Sequence, residues 1–185
     1  MAGRPRPDAG FTLLELLITL ALGGMVMGLA SSVITSHLRT TQKQSELQRM
    51  RDHWGRINFF LETEIREGQS LGTENGVGIC ADKAGRVLTV TVPNPAAAGS
   101  TGLIVYYNKD ADLWRCGPAV QRNGTLDFSN QADGILVENA TLAVPTGFTG
   151  PADAVTYTVT LRSWDGGSLF TFAESSSART SIRSF

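Results

Sequence analysis

At 185 residues the chain has room for one soluble domain and an anchor segment, since domains typically hold ~100 to 200 residues. Lys and Arg number 16 against 17 Asp and Glu, a net charge of -1 with a pI near 6.1. Composition therefore gives no support to a broad nucleic-acid-binding surface, although a small basic patch survives such averaging.

In the first ten residues Arg4 and Arg6 stand against Asp8, and Pro5 and Pro7 prevent a helix. An apolar run starts directly after Gly10. From Phe11 to Ala30 only Thr12, Glu15 and Thr19 are polar, and at ~1.5 Å per residue the run can cross a hydrocarbon layer of ~30 Å. Basic residues beside such a run stay in the cytoplasm, which predicts that the remainder lies outside. Glu15 is the anomaly. An ionised acid within a bilayer helix costs roughly 2.5 to 3.5 kcal/mol, so it needs a partner or a task. A conventional secretory signal has the same polarity, and Leu29-Ala30-Ser31-Ser32 reads as its cleavage site. Glu15 within the core, and a helical pattern running straight through that site, argue against it. Gly24 and Gly28 form a small-xxx-small pair that lets another helix approach, or are merely tolerated.

The stretch Gly10-Phe11-Thr12-Leu13-Leu14-Glu15-Leu16-Leu17-Ile18-Thr19-Leu20 resembles the processing and methylation signal of type IV prepilins and of the pseudopilins of type II secretion. The resemblance implies that a prepilin peptidase cuts after Gly10 and methylates the new amino terminus at Phe11. It assigns assembly to Glu15, with Thr12 beside it, through pairing with the terminal amine of a neighbouring subunit. An ammonium at Phe11 lies one helical turn from Glu15, and a neighbour's ammonium would offset the burial cost of the carboxylate. The implied partners are the peptidase, other pilin or pseudopilin subunits, an inner-membrane assembly platform, and lipid before assembly. The implied location is the inner membrane, single-pass with the C-terminal domain outside, and then an extracytoplasmic fibre. Many family members carry a helix-kinking proline about twenty residues into the mature chain. Ser31 and Ser32 stand there in this sequence, leaving local melting to the glycines.

Arg39 to Glu46 is polar on all sides, as a neck in water would be. Leu47, Met50, Trp54, Ile57, Leu61 and Ile65 then return at steps of three or four, opposite Arg49, Arg56 and Glu67. One long helix from Phe11 to Glu67, ended by Gly68, is expected. His37 and His53, the only histidines, would lie about 24 Å apart on it and cannot share a metal.

Short strands follow. Val87–Val92 stops at Pro93, and a loop runs to Ser100. Leu103–Tyr107, a turn over Asn108–Asp112, and Leu113–Arg115 make a hairpin. Ile135–Val137 and Leu142–Val144 come next. Val155, Tyr157, Val159 and Leu161 alternate with polar residues, and Asp165-Gly166-Gly167 turns that strand into Leu169–Phe172. The expected class is α+β, a long N-terminal helix packed on an antiparallel sheet. Its expected segments are a removed leader (1–10), a membrane or fibre-core helix half (11–30), an extracytoplasmic helix half (31–67), a sheet domain (68–174), and a flexible tail or edge strand (175–185). The layout resembles the larger minor pilins and pseudopilins.

Cys80 and Cys116 are the only cysteines, both beyond the apolar run. Outside the cytoplasm a disulfide is the default, closing a loop of ~36 residues; the alternative is two buried thiols. No motif calls for a cofactor or a metal. The sheet domain has no histidine with which to build a Ser-His-Asp or Cys-His site. Gly76–Ala81 fits a dinucleotide fingerprint only as text, lacking a strand before it and a helix after. Asn108, Asp110 and Asp112 alternate as in a calcium loop but lack its glycine and distal glutamate. The expectation is a non-enzymatic, minor structural subunit of a pilus-like fibre. The competing readings are a tip module that binds DNA or a surface, and a monomeric anchored or secreted protein.

Overall fold

A computed structural model of the chain describes residues 12–97, 99–163 and 169–178. Its helix α1 spans Leu13–Glu67 as one element of 55 residues. Leu, Ala, Met, Glu, Gln and Arg, all strong helix formers, supply much of it. Thr35, Thr40 and Thr41 return their hydroxyls to the carbonyls of Ser31, Ser36 and His37 at 2.8 to 3.0 Å, so these polar side chains are satisfied without leaving the helix.

The chain divides into two units between Leu47 and Gln48. In the first, every residue from Thr12 to Ser45 is exposed, including leucines as bare as Leu13 at 78%. In the second, Met50, Ile57, Leu61 and Ile65 are fully buried and form the helical side of the main core, with Trp54 and Phe60 packed at its margin. Leu47 remains exposed, so the buried stripe starts one turn later than the sequence pattern suggests. The helix ends at Glu67 as expected, but Gly68 is not a left-handed cap. Its φ is not positive, and a Cβ there would lie 2.7 Å from Val90 Cγ1 and 3.1 Å from the Ile65 carbonyl oxygen. Close approach to the sheet, rather than backbone freedom, selects glycine here.

The strands are β1 (Ser70–Gly72), β2 (Arg86–Pro93), β3 (Thr101–Lys109), β4 (Asp112–Val120), β5 (Leu126–Val137), β6 (Ala140–Ala143), β7 (Ala154–Arg162) and β8 (Leu169–Ser177). They form two antiparallel meanders, a five-stranded sheet in the order β1-β2-β3-β4-β5 and a three-stranded sheet in the order β6-β7-β8. The single sheet of the sequence reading is thus two. The break falls at Asn139, which adopts a left-handed φ of 52°; its N–H donates to Asp112 Oδ1 at 2.7 Å and its carbonyl accepts from the Arg162 N–H. Asn108 links the sheets by mimicking a rung. Its Nδ2 donates to the Leu142 carbonyl at 2.8 Å, and its Oδ1 accepts from the Leu142 N–H at 2.9 Å.

Along β3, Ile104 and Tyr106 turn inward to the α1 core while Val105 and Tyr107 pack on the opposite face, the period of two that a pleated strand imposes. The connection from β3 to β4 is tighter than the expected span of Asn108–Asp112. Asp110 and Ala111 alone turn the chain, at φ 53° and 68°, as a two-residue hairpin with two left-handed residues demands. β8 continues through Ser177, past the start at Ser175 expected for a tail, pairing down to Ala154. The expected turn at Asp165–Gly167 and the edge strand over Thr180–Arg183 lie outside the described residues.

Candidate functional sites

The helix N-terminus carries the first site. Thr12 precedes α1, and its Oγ1 accepts from the Glu15 N–H at 3.3 Å, while its carbonyl accepts from the N–H groups of Glu15 and Leu16 at 3.0 and 3.2 Å. Thr-x-x-Glu is the capping-box spacing, and a carboxylate in the first turn also complements the positive end of the helix dipole. Both assembly residues of the sequence reading therefore meet in one turn. Thr12 orders the turn that presents Glu15. Among the described residues Glu15 forms no ion pair. Gly10 and Phe11 lie outside the described residues. By length and composition α1 is able to cross a membrane, its apolar window being wholly unburied.

The second cluster lies where α1 meets the five-stranded sheet. Glu64 is 4% exposed, Arg115 of β4 8%, and Tyr106 of β3 0%. Arg115 Nε donates to Glu64 Oε1 at 2.8 Å, and Nη2 lies 2.7 Å from the same oxygen as an ionic contact without hydrogen-bond geometry. Nη1 donates to the Pro118 carbonyl at 3.1 Å, and the Tyr106 hydroxyl donates to Glu64 Oε2. Burial alone would lower the Arg115 pKa, but the Glu64 charge and hydrogen bond outweigh it and raise it. A buried carboxylate is thus matched by one cation and one hydroxyl, the condition for tolerating it. The sequence reading missed this network. The available signal was that Glu64 falls three residues after Leu61 and seven after Ile57, on the core face of the stripe.

On the outer face of the same sheet, Cys80, in a 3-10 turn at Gly78–Cys80, is bonded to Cys116 of β4. The bond sits in a small second core with Val105 and Tyr107, against which Trp114 packs. Lys83 Nζ pairs with Asp133 Oδ2 at 2.6 Å, and the Tyr107 hydroxyl donates to Asp133 Oδ1 at 2.6 Å. Burial would raise the Asp133 carboxyl, but the hydrogen bonds from Lys83 and Tyr107 outweigh it and hold its pKa below the ordinary range. The Gly76–Ala81 segment is this disulfide-bearing turn and no part of a βαβ unit. Asn108 and Asp112 are committed to Leu142 and Asn139, so these two members of the calcium-like run are already engaged in joining strands.

All three tyrosines hold their protons more tightly than free tyrosine. Burial raises Tyr106 well above the ordinary value, with the Glu64 charge adding to it. Burial and the Asp133 hydrogen bond raise Tyr107, and burial with the Glu174 and Glu62 charges pushes Tyr157 up to about 12. Unfolded tyrosines ionise near ~10. A folded pKa above the unfolded one gives stability that is full below pH ~10 and lost as pH rises through the folded values. The expected result is a phenolate absorbance that stays low past pH ~10 and then rises together with unfolding. Normal ionisation of all three near ~10 without loss of structure would contradict the burial described.

Residues 5–31 match the family model described as Prokaryotic N-terminal methylation motif. This motif is the signature of type IV prepilin and pseudopilin proteins, and the chain carries it as a pilin-like precursor would. The match takes in Gly10, Phe11, Thr12 and Glu15 together with Gly24 and Gly28, and leaves the sheets untouched. No curated protein and no solved structure matches the chain. Such a motif implies processing by a prepilin peptidase, membrane anchoring, and assembly with other pilin subunits.

Proposed function

We propose that the chain is a non-enzymatic, minor structural subunit of a type IV pilus-like fibre. The peptidase cuts after Gly10 and methylates Phe11; the subunit waits in the inner membrane with its sheets outside the cytoplasm, and α1 then packs into the fibre core. The observation that carries this reading is the methylation motif at residues 5–31, most of which lies within the first part of a 55-residue helix whose far end belongs to a folded domain. In such a fibre Glu15, held in the turn capped by Thr12, pairs with the terminal ammonium of a neighbouring subunit. That ammonium supplies the charge that a carboxylate in an apolar setting requires.

Intact mass of the chain extracted from membranes tests the processing step. The expected mass is that of a chain beginning at Phe11 with one added methyl group, and a Gly10→Asp variant is expected to stay full length. An uncut chain, or a cut near Ser32, would overturn the reading in favour of an ordinary anchor or secretory signal.

A further inference from the structure

The outer face of the five-stranded sheet holds a cavity of about 380 Å³ that none of the roles above employs. That volume lies within the range of ~300 to 1,000 Å³ usual for small-molecule sites. Its wall is the segment Asp82–Gly85, and its floor is Tyr107 of β3 and Trp114 of β4, whose rings stack offset at 5.9 Å and 28°. Lys109 completes the rim, its ammonium 5.0 Å from the Trp114 ring centre.

The wall is fixed rather than draped. The Cys80–Cys116 bond anchors its start, and the Lys83–Asp133 pair ties it across to β5. Asp82 Oδ1 accepts from Asn75 Nδ2 at 2.8 Å. Gly85, at φ +73°, comes so close to β3 that its carbonyl accepts from the Asn108 N–H at 2.9 Å, and a Cβ there would lie 2.2 Å from the Asn108 oxygen. A site held this way loses little freedom when it is filled.

The lining also selects among ligand classes. Two ammonium groups, Lys83 and Lys109, face two carboxylates, Asp82 and Asp133, so the rim carries no net charge. A phosphodiester chain would gain two cations and meet two anions, which is no recipe for phosphate-driven binding. A neutral polyol gains from both signs, since its hydroxyls donate to carboxylates and accept from ammonium groups. Its C–H face carries the slight positive charge that lies well on an aromatic ring. Lys109 is exposed and lies over the Trp114 ring on a flexible stem, so a sugar ring can take its place there while the ammonium swings aside to donate to a sugar hydroxyl. Trp114 Nε1 is buried and has no hydrogen-bond partner among the described residues.

We propose that this cavity binds a neutral sugar, the terminal residue of a glycan on a surface that the protein meets. The test uses the full chain in a non-glycosidic detergent, with tryptophan fluorescence and saturation-transfer NMR as readouts. The probes are glucose, galactose and N-acetylglucosamine as monomers and short oligomers, with a uronic acid and a single-stranded DNA oligomer as charged comparators. Saturable binding of at least one neutral sugar is expected, with Kd on the order of 1 mM or tighter. Lys109→Ala and Trp114→Phe, the second leaving a smaller ring for the sugar face, are each expected to weaken it about tenfold while both variants still unfold cooperatively on heating. Three results would each overturn the proposal: no saturable neutral sugar, equal or stronger binding of the charged probes, or sugar binding that both variants leave intact. None of these depends on processing at Gly10, so the site and the fibre reading stand or fall separately.

Discussion

Glu64→Ala is expected to destabilise the folded domain by about 3 to 5 kcal/mol, the scale for removing one partner of a buried ion pair. The loss does not measure the strength of the pair. It arises because Arg115, only 8% exposed, would keep its charge with only the Pro118 carbonyl as a named acceptor, and because the fully buried Tyr106 hydroxyl would lose its acceptor. Against a total stability of roughly 5 to 15 kcal/mol, such a loss leaves many domains partly unfolded at ambient temperature. The cause can be isolated by replacing both members. Glu64→Leu combined with Arg115→Met removes the charges together and is expected to recover the share of the loss that comes from the unpaired guanidinium, while the share from the Tyr106 hydroxyl remains. Denaturant unfolding of the single and the double variant checks this. Equal destabilisation in the single and double variants would show that shape at the helix–sheet contact, not charge, is what matters there.

Cys80→Ser with Cys116→Ser is expected to cost about 3 to 4 kcal/mol, from a crosslink closing a sequence separation of 36 residues. The damage should be uneven. The bond belongs to the small outer core of Val105 and Tyr107, whereas the buried positions Ile57, Leu61, Leu88 and Tyr157 lie in the separate main core. Amide exchange is therefore expected to accelerate first in the turn around Gly78–Cys80 and in the Asp82–Gly85 wall, and later in β2 and β7. Uniform acceleration throughout both sheets would mean that the two cores open as one unit. The same variant is expected to lose sugar binding before it loses the fold.

Much of this architecture was legible because it depends on local pattern. Met50, Ile57, Leu61 and Ile65 recur at helical spacing, and Val155 to Leu161 alternate, so each segment states its own period. What stayed hidden depends on pairing across distance. The first part of β5, Asp127-Phe128-Ser129-Asn130-Gln131, has turn-like composition and becomes a strand only because β4 lies beside it. β1 is too short to announce itself. The split into two sheets turns on one left-handed residue, Asn139, whose conformation a residue name alone does not reveal. At the helix N-terminus Thr12 and Glu15 entered through the family resemblance, and the capping contact between them is a local one that their spacing permits. The network of Glu64, Tyr106 and Arg115 could not be read from spacing, because its members are brought together from separations of 42 and 51 residues.

One feature of the core bears on when the protein can fold. The helical side of the core is synthesised first, and much of what covers it comes last. Trp54 stacks on Phe172 of β8 at 4.6 Å, and Asn58 accepts from the Tyr157 hydroxyl of β7, 99 residues downstream. A nascent chain halted before β7 therefore lacks the partners of Trp54 and Asn58 on the helix. Contacts of such long range form slowly, and the interval exposes the chain to aggregation. Chain order thus leaves the helical side of the main core incomplete until the last two strands are made. A truncation within the last two strands would be punished at the helix, more than a hundred residues upstream by the spacing of Trp54 and Phe172.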